Sequence, residues 1–173
     1  RPLSIEGTKE IEKILKKPLF ANAERIYSDA SIASIVPGEF LSEYLNTNLI
    51  INKKLHDCKI GELGNKSVKM LSYFQEHDFD FKLYGGESLN ECSLRISSFI
   101  RKVLGEGYEN ICVFLPKRCI MAYLLKYTGH EYNLDDKLIL SFKDEIIMGE
   151  NDESTNIFIL TYENNELKNI ELG

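Results

Sequence analysis

The run Asn110-Ile111-Cys112-Val113-Phe114-Leu115 constrains the fold more than any other stretch of the chain. A strand with one wet face alternates polar and apolar side chains. A run with no alternation suits a strand covered on both faces. Such a strand needs helices above and below it. Pro116-Lys117-Arg118 follows at once, and then a helical pattern over residues 118–127 that ends at Gly129. Residues 111–115 are therefore expected to form a central strand, and Pro116 to start the next helix.

The rest of the pattern agrees with an α/β arrangement. Ile11, Ile14 and Leu15 form a helical stripe within residues 7–17, which Pro18 stops. Arg25-Ile26-Tyr27-Ser28 and residues 48–52 read as strands. Residues 31–45 between them read as a helix, with Pro37 expected to kink it or delay its start. Residues 53–67 and 78–86 read as loops, and residues 68–77 and 88–104 as helices. Ser88 and Glu91 make a capping box on the second of these. Residues 138–142 form a further strand. Residues 157–162 and 167–172 read as a closing hairpin around Asn164-Asn165. The polar residues 149–156 read as a surface loop. Strands alternating with helices predict a three-layer α/β/α sandwich with a mostly parallel sheet.

The chain has 173 residues with 43% hydrophobic and 28% charged side chains, which fits one ordinary domain. No apolar run approaches the length of a bilayer span, so no membrane is expected. The net charge of −6 gives no general attraction to phosphate backbones, which argues against nucleic acid. Arginine stands only at Arg1, Arg25, Arg95, Arg101 and Arg118, so bidentate phosphate clamps are scarce. The four cysteines, Cys58, Cys92, Cys112 and Cys119, form no Cys-x-x-Cys pair, and none has a histidine at ligand spacing. They read as reduced, structural thiols of a cytoplasmic protein, with no metal and no cofactor expected. His56, His77 and His130 are scattered and read as surface or packing residues.

Several segments, in order, resemble the histidine phosphatase, or phosphoglycerate mutase-like, superfamily. Arg1-Pro2-Leu3-Ser4-Ile5-Glu6-Gly7 is similar to its PLT-x-x-G step, and Arg25-Ile26-Tyr27-Ser28 to the strand ending in SP. Leu55-His56-Asp57-Cys58-Lys59-Ile60-Gly61 is similar to the L-x-E-x-x-x-G loop. Gly85-Gly86-Glu87-Ser88 with Glu91 and Arg95 is similar to GGES-x-x-E-x-x-x-R. Residues 111–129 resemble the strand, turn and helix that normally carry SHG, and residues 156–173 the final hairpin. The resemblance implies a phosphoglycerate mutase-like fold over residues 1–173 as a single domain. It also implies phosphoryl transfer through a nucleophilic histidine in an RHG motif at the end of a first strand. No Arg-His-Gly occurs among the 173 residues.

By the same resemblance, the second histidine falls on Pro116, the following glycine on Lys117, and the arginine after SP on Ile32. The proline of SP falls on Asp29 and the general acid on Asp57, a shorter carboxylate. Glu87 and Ser88 stand unchanged. Candidate catalytic residues are then Asp57 and Glu87, and candidate anion-binding residues are Ser28, Lys117, Arg118 and Ser88. Ser88 also reads as a plain helix cap. Losing one oxyanion donor typically costs about 100- to 1,000-fold in rate. A degenerate, non-catalytic binding or regulatory module is the expectation, with a phosphorylated small molecule or a protein as partner. Two other readings stay open: an active phosphomonoesterase whose histidine lies upstream of Arg1, and a plain α/β domain whose likeness to the family is only topological. Asp29 and Asp57 are expected to pair with Lys117 or Arg118 where phosphate would sit.

Overall fold

The structure, a computed structural model, describes residues 4–149 and 157–173. The expected loop beyond Gly149 and the Arg1-Pro2-Leu3 part of the first resemblance lie outside the described residues. The chain divides into two compact units, Arg1–Asp57 with Lys102–Lys117, and Cys58–Arg101 with Arg118–Gly173. Among the described residues, no helix is long and apolar enough to cross a membrane.

The first unit holds a three-stranded parallel sheet of β1 (Arg25–Ser28), β2 (Leu49–Ile51) and β3 (Ile111–Phe114), in the order β2-β1-β3. Helix α1 (Ile5–Leu15) begins where Ser4 Oγ accepts the Gly7 N–H at 3.0 Å. It packs on α2 (Ile32–Leu45), and α2 covers all three strands. Helix α2 starts at Ile32 and carries Pro37 inside it, so the start is not delayed. Gly38 lets α2 approach the sheet, since a Cβ there would come within 2.9 Å of Leu49 Cδ1.

One expectation needs correction. β1, not β3, is the middle strand. Ile26, Tyr27 and Ser28 are 0%, 4% and 0% exposed, whereas every residue of β3 is half-buried. An unbroken apolar run reports what covers a strand's faces. It does not report how many neighbours hydrogen-bond along its edges. The Glu24 carboxylate fixes the entry to β3 by accepting the N–H groups of Glu109 at 2.6 Å and Asn110 at 3.0 Å.

The second unit carries α3 (Val68–His77), most of α4 (Leu89–Leu104) and nearly all of α5 (Lys117–Leu124). Strands β4 (Gly129–Tyr132), β5 (Leu138–Phe142) and β6 (Glu145–Met148) form an antiparallel sheet, and β7 (Phe158–Glu163) pairs with β8 (Glu166–Leu172). Leu124, Leu138, Leu140, Ile147, Met148 and Ile170 make the core under these strands. Asn164 and Asn165 take φ of 52° and 64°, the left-handed pair that the expected hairpin turn requires. Lys143 and Asp144 do the same between β5 and β6, with φ of 49° and 65°.

Within this unit His77 ends α3 between the rings of Tyr73 and Tyr132, whose centroids lie 4.3 and 4.6 Å away. Its Nδ1 faces the Tyr73 carbonyl at 2.8 Å and its Nε2 faces Asp136 Oδ1 at 3.0 Å. Both partners are acceptors, so the ring satisfies both only when doubly protonated. The pKa is raised above 6.5, first by the Asp136 hydrogen bond and next by the Tyr73 carbonyl. Stability from this ring is therefore complete below about pH 6.5 and fades as pH rises through the higher folded value. An NMR titration of the ring should give a midpoint above 6.5, and Asp136→Asn should bring it down. A wild-type midpoint at or below 6.5 would refute the pairing.

Candidate functional site

In the first unit, Ser28 ends β1 in register with Phe114 of β3, so the two strands end side by side. The Ser28 Oγ donates to the Asp29 carbonyl at 2.9 Å and is fully buried. Asp29, 4% exposed, uses both carboxylate oxygens on Ser31. Oδ2 accepts its N–H at 3.1 Å and Oδ1 accepts its hydroxyl at 3.0 Å. These bonds tie down the start of α2. The expected pairing of Asp29 with Lys117 or Arg118 is thus replaced by a local cap. Both donors are neutral groups of the next turn, the Ser31 N–H and hydroxyl. Lys117 and Asp57 are exposed, and Ile32, at the position the resemblance assigns to arginine, is 58% exposed.

In the second unit, Arg118 donates to the side-chain carbonyl of Gln75. Gln75 is 1% exposed, and its Nε2 donates to the carbonyls of Glu87 at 2.9 Å and Phe81 at 3.2 Å. Glu87 is gripped by Arg95 in a two-point pair, Nε to Oε1 at 2.8 Å and Nη2 to Oε2 at 2.7 Å. The side chains are only 12% and 15% exposed. This fork-to-fork geometry is the strong form of the ion pair. Ser88 closes the capping box: its Oγ accepts the Glu91 N–H at 3.1 Å, and its own N–H goes to the Glu91 carboxylate at 3.1 Å. Lys82 pairs with Glu91 as well. Lys82 first, and then the Ser88 N–H, hold the Glu91 carboxyl below the ordinary carboxylate range.

The Gly85-Gly86-Glu87 backbone, Lys59, Lys82 and Glu91 line an open groove of about 530 Å³. Gly86 has to be glycine there, since a Cβ would stand 2.8 Å from the Ile60 carbonyl oxygen. The groove is mixed in charge, and both of its carboxylates are already engaged by cations. Of the expected site residues, Glu87, Ser88 and Arg118 meet through Gln75 and the first turn of α4, all within the second unit. Ser28, Asp57 and Lys117 belong to the first. Sequence reading missed Gln75, because a lone glutamine in an amphipathic helix carries no signal. It also gave Arg95 no role, although its place eight residues after Glu87 puts it two turns along α4.

Sequence spacing likewise hid the cysteines. Cys58, Cys92 and Cys119 are all buried, and their sulfurs lie within 4.8 Å of one another. Cys119 is drawn below the usual thiol value, first by Cys58 and then by Cys92, while Cys58 and Cys92 are themselves pushed up, first by their hydrogen bonds to Cys119.

No protein-family model matches the chain, and no curated protein matches it. Solved structures do. The mycobacterial glucosyl-3-phosphoglycerate phosphatase superposes with a TM-score of 0.64 at 13% identity, covering 99% of this chain and 86% of that one. YhfR of Bacillus stearothermophilus gives 0.62 at 12% identity, covering 88% and 86%. The α-ribazole phosphatase of Shigella flexneri gives 0.57 at 13% identity, covering 84% and 81%. Helices, the parallel sheet and these likenesses agree on one architecture: this chain has the histidine phosphatase, or phosphoglycerate mutase-like, fold.

Proposed function

We propose that this chain is a histidine-phosphatase-fold module that binds rather than hydrolyses, with a phosphate pocket that has lost its catalytic groups. The observation that carries this reading is Pro116 at the end of β3, where the resemblance requires an imidazole. Proline offers neither a side-chain donor nor a backbone N–H to an oxyanion. Exposed, apolar Ile32 in place of an arginine removes a second donor. Arg118 is spent on Gln75, and Glu87 is spent on Arg95. Ser88 serves as the cap of α4, and its N–H is taken by Glu91. The Ser28 hydroxyl is buried and donated to the Asp29 carbonyl, so Lys117 is the candidate for a weak anion contact and Asp57 a vestigial general acid. The partner is a phosphorylated small molecule or a protein, and the location cytoplasmic, in keeping with four cysteines that are all free thiols.

Titration with inorganic phosphate tests the pocket. Binding should be no tighter than about millimolar, because a lysine point charge gives little without a bidentate clamp. Micromolar binding would contradict a degenerate pocket. The second reading, an active phosphomonoesterase completed by a histidine upstream of Arg1, draws support from the solved neighbours that are named as phosphatases.

A further inference from the structure

We propose that Cys58, Cys92 and Cys119 form a buried three-thiolate site for a soft monovalent d10 metal ion, Cu(I). The three residues come from separate parts of the second unit. Cys58 lies in the loop that leads to Gly61, Cys92 is the fourth residue of α4, and Cys119 is the third residue of α5. Exposures are 3%, 0% and 0%. The Cys92 sulfur lies 2.7 Å from that of Cys58 and 3.6 Å from that of Cys119.

Geometry and surroundings both suit a thiophilic ion. A metal bound by thiolates sits about 2.3 Å from each sulfur. Three sulfurs around one such centre stand about 4.0 Å apart. The Cys92–Cys119 separation of 3.6 Å is near that value, and all three sulfurs lie within 4.8 Å of one another. The 2.7 Å Cys58–Cys92 distance has to widen, and Cys58 is the ligand that sits on a loop. Cys92 and Cys119 lie near the N-terminal ends of their helices, where the peptide dipoles favour a thiolate. Arg95 donates a guanidinium N–H to the Cys92 sulfur at 3.4 Å, a hydrogen bond that holds a ligating sulfur in place.

The choice of ion follows from the donor count. Among the described residues no histidine, aspartate, glutamate or further cysteine joins the three sulfurs. A closed zinc site takes four protein ligands. Cu(I) is satisfied by three soft ones, and thiolates select it over harder cations. Binding is not a redox step: each ligating thiol gives up its proton to solvent, and the copper stays monovalent.

Reduced protein, kept anaerobic, should be titrated with Cu(I) against a competing chelator. The expected result is one equivalent retained, with thiolate-to-copper absorption in the near ultraviolet. Cys58→Ser, Cys92→Ser and Cys119→Ser should each weaken retention about 100-fold or more, because chelation by three soft ligands is lost. Cys112→Ser should leave it unchanged. If a serine variant fails to fold, the wild-type chain still decides the matter. Copper should shield Cys58, Cys92 and Cys119 from alkylation, read by mass spectrometry, while Cys112 reacts as before. No retained copper, equal loss in Cys112→Ser, tighter retention of Zn(II), or loaded protein whose three thiols alkylate normally would each overturn the proposal.

Discussion

Glu87→Ala is expected to lower the thermal midpoint by about 6–12 °C, because it strips the partner from a half-dry guanidinium. Breaking a buried pair by removing one member costs about 3 kcal/mol or more, since the remaining charge keeps its desolvation penalty. For a chain of this size each kcal/mol moves the midpoint by about 2–4 °C. The pair justifies that scale: both side chains are at most 15% exposed, and the contact is two-pronged. Removing both members at once, Glu87→Gln with Arg95→Met, should recover much of the loss, since neither charge is then left buried alone. Scanning calorimetry of the wild type and the two variants checks this. A single-variant shift below about 2 °C would mean that Glu87 is not held as a structural group. It would then be available for another role.

Gly61→Ala should be nearly as damaging, for a backbone reason. Gly61 has φ of 77°, and a Cβ there would lie 2.6 Å from both the Gly86 nitrogen and the Tyr84 carbonyl oxygen. Neither atom belongs to a flexible side chain, so the two loops must part. Left-handed strain and overpacking together cost about 2–4 kcal/mol. Gly64 supplies the control. Its φ of 56° is similar, but nothing lies within 4 Å of the added atom. Gly64→Ala should cost only the conformational part, about 1–2 kcal/mol. Urea denaturation of both variants isolates the contact between the loops. Equal losses would refute it.

How far the sequence reached depends on the kind of signal each element carries. The helix at residues 88–104 was readable because Ser88 and Glu91 make a local, reciprocal cap that needs no tertiary context. The closing hairpin was readable because paired asparagines tolerate the left-handed turn. β4 was missed because all four of its residues are exposed, leaving no apolar pattern to find. β6 was missed because its turn is built from Lys143 and Asp144 with no glycine to announce it. The candidate site was legible as motifs and not as contacts. Glu87 stood out by resemblance. Its grip by Arg95, the Gln75 link to Arg118 and the use of Asp29 by Ser31 are side-chain geometries with no sequence spacing of their own. The thiol cluster joins positions 58, 92 and 119, separations that no metal-ligand spacing rule covers.

Hydrolysis of p-nitrophenyl phosphate and 3-phosphoglycerate by the purified chain tests the central claim most directly. On the proposed reading Pro116 stands in place of the second histidine and Ile32 in place of an arginine, which removes two charge-stabilising groups, each worth about 100- to 1,000-fold. Phosphate release should therefore match a protein-free control. Turnover clearly above that control, abolished by Asp57→Ala, would contradict a binding module and establish a working phosphatase with a rebuilt pocket.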